Sequence, residues 1–160
     1  MFNKIKKKGV HLPELLIQNG MIQIAMCIDD DPIVLMLNDL ILKEQSFCGN
    51  LIKYDKAETA LEYFDNQTKL PKEEQELPSL IFLDINMPVM DGWEFLEVFS
   101  ERFKMFHDTI RVIILSSSVN PADLEMAANH PLVIGFMPKP LGEAELALLK
   151  SNPSLQHYFA

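Results

Sequence analysis

Short apolar runs alternate with amphipathic segments along the chain from residue 22 onward. The runs have the length of strands and lie at 22–28, 50–54 (the weakest), 79–85, 111–116 and 132–137. Apolar residues recur at helical spacing between them, which predicts helices at 32–45, 56–67, 92–103, 121–130 and about 142–150. Strands that are almost purely apolar are covered on both faces. The pattern therefore predicts an α/β fold, with a five-stranded parallel sheet and helices on both of its faces.

Three stretches lie outside this alternation. Residues 1–20 carry a basic tail, and we expect an N-terminal extension that is disordered or not native to the domain. The domain itself is expected to span 21–150. We interpret 68–78, longer than a usual connection, as a solvated insertion. The C-terminal tail, 151–160, is either a docking patch or a frayed end, and we favour the frayed end.

Charge and composition exclude several classes of protein. The formal net charge of −9 argues against general nucleic-acid binding. No apolar run approaches the roughly 20 residues of a membrane helix, and no signal peptide follows the N-terminal lysines. Cys27, in a predicted strand, and Cys48, in a predicted loop, do not make a disulfide framework. We expect a cytoplasmic protein that binds neither nucleic acid nor membrane.

Polar residues recur where the predicted strands end. They are Asp29, Asp30 and Asp31 after the first strand, Asp84 and Asn86 after the third, Ser116 and Ser117 after the fourth, and Lys139 after the fifth. Each has a plain structural interpretation: a helix cap, above all for Asp31, a loop residue, a turn, or a surface lysine. The carboxyl ends of parallel strands meet at one edge of a sheet, so we expect these residues to converge.

Together, these side chains predict a particular chemistry. Carboxylates a few ångströms apart repel, and are tolerated when a cation is present or when they take up protons. A few hard oxygen ligands with several waters suit Mg²⁺. A carboxylate nucleophile, a divalent cation, a lysine and a hydroxyl are the parts needed to transfer a phosphoryl group onto an aspartate.

The stretches CIDDDP, FLDINMPVMDGWEF, VIILSSS and MPKP resemble the signature set of response-regulator receiver domains of two-component signalling, over about residues 22–150. The resemblance implies a flavodoxin-like strand order 2-1-3-4-5. It also implies that Asp84 is the phosphoacceptor and that a histidine kinase or a histidine phosphotransfer protein is the donor. Mg²⁺ would be bound directly by Asp30, mainly through water by Asp29, and by Asp84 and the backbone carbonyl of Asn86.

The resemblance also implies a switch. Ser116 and Lys139 would be drawn to the phosphoryl group and Phe136 would repack, which would alter the surface of the fourth helix, fifth strand and fifth helix for a downstream protein effector or a relay. Pro88 and Gly92 match the turn that follows the phosphoacceptor. Two residues depart from the family's usual choices: serine replaces a frequent threonine at 116, and phenylalanine replaces a frequent tyrosine at 136.

Two other classes of protein compete with this interpretation. A phosphohydrolase with an aspartyl nucleophile needs an acid two residues after it, and Asn86 occupies that position. A pseudo-receiver that never takes phosphate is disfavoured because no member of the site is missing. We therefore expect a stand-alone response regulator, not an enzyme, with at most slow autodephosphorylation.

Overall fold

The computed structural model describes residues 20–160 and shows a five-stranded sheet in the order β2-β1-β3-β4-β5. All four strand pairings are parallel, which confirms the predicted fold and strand order. The strands are β1 (Ile22–Ile28), β2 (Cys48–Tyr54), β3 (Leu80–Asp84), β4 (Arg111–Ser116) and β5 (Val133–Pro138). The helices are α1 (Pro32–Glu44), α2 (Ala57–Thr68), α3 (Gly92–Arg102), α4 (Pro121–Asn129) and α5 (Glu143–Lys150). The expectation for the N-terminal extension falls, except for Gly20, outside the described residues.

The two faces of the sheet are packed differently. Helices α2, α3 and α4 cover one face, where phenylalanines form a continuous cluster around Phe64 and Phe99, whose ring centroids lie 4.9 Å apart. Helices α1 and α5 cover the other face, where Phe82 of β3 meets Phe47 with centroids 6.1 Å apart. Strand β3 is buried along its whole length, as expected for the central strand. Across residues 20–160, no helix is both long enough and apolar enough to span a bilayer.

The second strand begins earlier than the sequence suggested. It starts at Cys48, because the register pairs Ile22 with Cys48 and Ile24 with Asn50 and so draws Gly49 and Asn50 into the ladder despite their low strand propensity. The assignment of Cys48 to a loop was therefore wrong. Cys27 and Cys48 are both buried and free.

Helix starts fix the loops that carry the site. The Asp31 side chain caps α1 by accepting from the Ile33 N–H at 2.9 Å, which confirms its predicted capping role. Asn120 caps α4 in the same way. Asp91 and Glu94 form a reciprocal capping box at the start of α3.

The C-terminal tail packs onto the domain, so the expectation of a frayed end was wrong. Leu155 is buried in the α1/α5 cluster, with Tyr158 and Phe159 packed against it. The Phe159 ring lies 5.0 Å from that of Phe47, and the Lys150 ammonium lies 5.6 Å from the Phe159 ring centroid. Burial of these apolar side chains offsets the entropy that ordering the segment costs.

The 68–78 stretch is largely exposed, as predicted for an insertion, and contains a short 3₁₀ helix at Lys72–Glu74. The Gln67 side chain anchors it by accepting from the Glu76 N–H at 2.7 Å, and the Tyr63 hydroxyl donates to the Glu76 carbonyl.

Candidate functional site

Three carboxylates converge at the carboxyl edge of the sheet. Parallel pairing of Ile28 with Leu83 brings the end of β1 beside the end of β3. One carboxylate oxygen from each of Asp29, Asp30 and Asp84 lies within 4.8 Å of the other two. Asp29 and Asp84 are each only 1% exposed, whereas Asp30 is exposed. The convergence expected from the strand ends is present in the structure.

Lys139 reaches this cluster from the loop after β5. Its Nζ lies 3.0 Å from Asp29 Oδ2 and 3.2 Å from Asp84 Oδ1. Its backbone N–H donates to the Ser116 carbonyl at 2.9 Å, which fixes the loop against β4. Burial by itself lowers the pKa of Lys139, but hydrogen bonding and charge from Asp29 and Asp84 outweigh it, so the net shift is upward. Lys139 is therefore a fixed positive charge between two buried carboxylates.

Asp84 has an unusual environment for a carboxylate. Burial and then the Asp29 charge raise its pKa to about 6, against the opposing effects of the Asn86 N–H and Lys139. Oδ1 accepts from the Asn86 N–H at 3.1 Å and faces the Lys139 ammonium. Oδ2 is buried and has no hydrogen-bond partner among the described residues. A buried acceptor without a partner lowers the stability of the fold, so this oxygen is available to a ligand.

The residues present fit a divalent cation. Three carboxylate oxygens within 4.8 Å of one another are the hard ligands that Mg²⁺ takes, and exposed Asp30 leaves space for water ligands. The net charge of Asp29, Asp30, Asp84 and Lys139 together is −2, so the cluster requires further positive charge.

The predicted switch residues Ser116 and Phe136 lie beside the carboxylate cluster, but their side chains contact other residues. Ser116 is buried, and its hydroxyl donates to the Ser118 carbonyl at 2.7 Å and accepts from the Ser118 N–H at 3.2 Å. Phe136 is half-buried and packs on the phenylalanine cluster. A cavity of about 250 Å³ separates it from α4, lined in part by Leu124 and Ala127.

The turn after Asp84 brings α3 against the backbone of β3. The Pro88 carbonyl accepts from the Met90 N–H at 2.9 Å, and the intervening Val89 is exposed with a φ of 69°. The Gly92 N–H donates to the Ile85 carbonyl at 3.0 Å. A Cβ at position 92 would lie 2.6 Å from the Asp84 carbonyl oxygen, so this close approach requires glycine.

Sequence reasoning missed Asn38, a fully buried amide on α1. Its Nδ2 donates to Cys27 Sγ at 3.3 Å, and its Oδ1 accepts from the Leu141 N–H at 3.4 Å, two residues beyond Lys139. Asn38 thus ties α1 to β1 and to the lysine loop. The signal available was a polar residue among the apolar positions of the helix. Burial raises the pKa of Cys27 to about 12, so its thiol stays protonated and is not a nucleophile.

Comparisons with known proteins agree with this geometry. The protein-family model of the response regulator receiver domain matches residues 25–149 of this chain. A two-component response regulator from Cytophaga hutchinsonii has a similar structure, with a TM-score of 0.74 and 29% identity, covering 81% of this chain and 94% of that one. A response regulator receiver protein from Dyadobacter fermentans has a TM-score of 0.66 and 26% identity, covering 81% and 95%.

A curated relative shares part of its length with this chain. The protein-glutamate methylesterase/protein-glutamine glutaminase of group 3 operon from Rhodopseudomonas palustris is 37% identical over 84 residues. That match covers 52% of this chain and 22% of the relative, so the relative's activity does not carry over with it. A family match over most of the chain, with the fold and strand order described above, shows that the chain belongs to the response regulator receiver domain family.

Proposed function

We propose that this protein accepts a phosphoryl group on Asp84 from a phosphohistidine of a histidine kinase or histidine phosphotransfer protein in the cytoplasm. The transfer depends on Mg²⁺ and changes the surface of α4, β5 and α5, where a downstream protein binds. The observation that carries the proposal is Asp84 itself: a buried carboxylate beside a fixed lysine, with one oxygen lacking a partner.

The two oxygens of Asp84 have different roles in this proposal. Oδ1 is engaged by Lys139 and the Asn86 N–H, so Oδ2 is the oxygen free to attack phosphorus. An O–P bond forms while the P–N bond to the donor histidine breaks, and the imidazole leaves with the electron pair and takes up a proton. In-line displacement of this kind needs positioning and charge neutralisation more than covalent help from the protein.

Positive charge offsets the charge of the incoming group. Lys139 lies within contact distance of both buried carboxylates and is placed to meet a phosphoryl oxygen above Asp84. Asp29, Asp30, Asp84 and the Asn86 carbonyl would hold Mg²⁺, which supplies Lewis-acid stabilisation of the phosphoryl oxygens when bound. Asn86 offers no acid for rapid hydrolysis, so the acyl phosphate persists long enough to signal.

Helix α1 offers a surface for the phosphohistidine protein. It starts directly after Asp31 and leaves a stripe of apolar side chains exposed, made of Ile33, Met36, Leu37 and Leu40. Their i, i+3, i+4, i+7 spacing puts them on one face of the helix. An apolar helical face beside an acceptor carboxylate suits a helical phosphodonor that presents its histidine above Asp84.

The switch would run through the residues beside the cluster. A phosphoryl group on Asp84 adds acceptor oxygens that compete with Ser118 for the Ser116 hydroxyl. Movement of Ser116 and its loop leaves Phe136 free to enter the adjacent cavity below α4. A pre-existing equilibrium of α4 and β5 is thereby shifted.

The proposal is tested by incubation with acetyl phosphate and Mg²⁺, followed by intact mass. We expect a gain of one phosphoryl group that EDTA prevents and that Asp84→Ala abolishes. Asp108→Ala, an exposed aspartate at the opposite edge of the sheet, is the matched control and should keep the gain. An adduct that survives Asp84→Ala, or no adduct on the wild-type protein, would rule the proposal out.

A further inference from the structure

A groove of about 720 Å³ runs between α3 and α4, on the side of α4 away from the Phe136 cavity. Trp93, Met126 and Pro131 contribute its apolar lining, and Met126 is 47% exposed. Exposed large side chains of this kind are unremarkable singly, but here they share one concave surface. The groove lies outside the phosphoacceptor cluster, and the proposed function assigns it no role.

Two hydrogen bonds join α3 to α4 and to the residue that follows it. At one end the Trp93 indole N–H donates to Asp123 Oδ1 at 3.0 Å. At the other, Ser100 Oγ lies 3.3 Å from His130 Nε2, while His130 Nδ1 accepts from the Leu132 N–H at 3.2 Å. Because Nδ1 is an acceptor, Nε2 carries the proton and donates to Ser100. A groove fixed in this way loses little entropy when a ligand enters it.

The walls of the groove are acidic. Glu94, Glu97 and Glu101 line it from α3 and Glu125 from α4, and the lining contains neither lysine nor arginine. Glu97, Glu101 and Glu125 are exposed, and none of them forms an ion pair with another described residue. Glu97 and Glu101 stand four residues apart on one helix, where like charges destabilise slightly. Helix stability therefore does not account for this arrangement.

We propose that the groove between α3 and α4 binds a basic amphipathic helix of a partner protein. The partner's apolar stripe would lie on Trp93 and Met126, with lysines or arginines on either flank meeting the carboxylates of the two walls. Acidic side chains on both walls match a helix whose basic residues flank its apolar stripe on both sides. From Trp93 to Glu101 the wall is about 12 Å long, which accommodates roughly two turns of such a helix.

The chain carries its own reporter for a test. Trp93 is its only tryptophan and lines the groove, so its fluorescence emission reads occupancy directly. The probe is a synthetic peptide of leucine and lysine with leucines at i, i+3, i+4 and i+7, titrated into the full chain without phosphodonor. A peptide of the same composition in scrambled order is the control for charge alone.

We expect the amphipathic peptide to shift Trp93 emission to shorter wavelength and the scrambled peptide to bind at least several-fold more weakly. The combined variant Glu97→Gln, Glu101→Gln and Glu125→Gln should weaken binding roughly tenfold. The matched variant Glu73→Gln, Glu74→Gln and Glu76→Gln removes the same charge from the exposed 68–78 stretch and should change binding less than about twofold. Circular dichroism checks that both variants remain folded.

Three results would overturn the proposal. Equal losses in the two triple variants would mean unspecific attraction to an acidic protein. Equal binding of the scrambled peptide would mean that the groove does not recognise an amphipathic helix. Binding that appears only after Lys4, Lys6, Lys7 and Lys8 are changed to glutamine would mean that the occupant of the groove is the chain's own basic segment and not a partner protein.

Discussion

The two halves of the sheet's carboxyl edge are held with different firmness. In the charged half, at the ends of β1 and β3, Asp29 and Asp84 are 1% exposed and rest on strand residues that are themselves buried. In the polar half, at the ends of β4 and β5, the Ser116 hydroxyl is bonded only to Ser118, and Phe136 borders a cavity. All but the last residue of β5 are half-buried. The difference teaches that Asp84, the proposed acceptor, is held on buried strands, whereas Phe136 has room to move.

The largest difference in the free energy of unfolding is expected from substitutions in the core beneath each half. Phe82→Ala, in the fully buried β3, should lower the free energy of unfolding by about 3–5 kcal/mol, since it opens a cavity. Phe136→Ala should cost only about 1–2 kcal/mol, because the ring is half-buried and already faces unfilled space. Urea denaturation followed by circular dichroism measures both. Equal losses would show that β5 is as firmly packed as β3.

Lys139 is the link between the halves, because it comes from the β5 loop and pairs with both carboxylates of the charged half. Lys139→Met should lower the free energy of unfolding by about 2 kcal/mol in the absence of divalent cations near pH 7.5, since two buried carboxylates lose their counter-charge. Millimolar Mg²⁺ should restore part of the loss. Lys43→Met, which breaks the exposed pair with Asp39, should cost less than about 0.5 kcal/mol. Similar losses in the two variants would contradict this role for Lys139.

The cost of burying the ionised Asp84 carboxylate in the charged half should depend on pH. The folded-state pKa of Asp84 is raised to about 6, mainly by burial, so folding favours its protonated form. The resulting penalty grows as pH rises from about 4 to about 6 and is complete above that range. Asp84→Asn removes the ionisable group and should stabilise the cation-free protein by about 1–3 kcal/mol above pH 6, and by nearly nothing below pH 4. Thermal unfolding across this pH range measures the gain in stability, and a gain that is independent of pH would contradict the explanation.

A small effect on stability is expected for Ser116→Ala, in the polar half. Both hydrogen bonds that it removes are to Ser118, so the free energy of unfolding should fall by less than about 1 kcal/mol. The phosphoryl adduct should still form. Phosphorylation of the wild-type protein is expected to change the fluorescence emission of Trp93, which is bonded to α4 through Asp123, and this change should be smaller in the alanine variant. Ser116→Thr keeps the hydroxyl and should keep the change. A full emission change in the alanine variant would remove Ser116 from the switch.

Much of the charged half could be predicted from the sequence because its signal is local. An aspartate at the end of an apolar run, such as Asp84 after residues 79–83, is conspicuous, and the parallel sheet then determines which strand ends meet. The same reasoning placed Lys139 correctly, although 110 residues separate it from Asp29.

What the sequence did not predict depends on contacts between distant elements. In the sequence, Asn38 is one polar residue among the apolar positions of a helix. Its hydrogen-bond partners, Cys27 and Leu141, are brought to it only by the fold. Phe159 looked like part of a frayed end because nothing near it in sequence shows that Phe47 is there to receive it. The loop hydrogen bonds of Ser116 are the exception, because they are set by local backbone geometry that its residue type does not reveal.

Gly92 has a consequence for how this protein can vary. A Cβ there would lie 2.6 Å from the Asp84 carbonyl oxygen and 2.7 Å from Ile85 Cα, and neither backbone atom can rotate away. In a saturation library at position 92 we expect glycine alone to remain among variants that still fold and take phosphate. The constraint comes from main-chain atoms, so no compensating change of a neighbouring side chain can relieve it. Position 92 is therefore a fixed point for the evolution of the loop after Asp84, although its residue takes no part in the proposed chemistry.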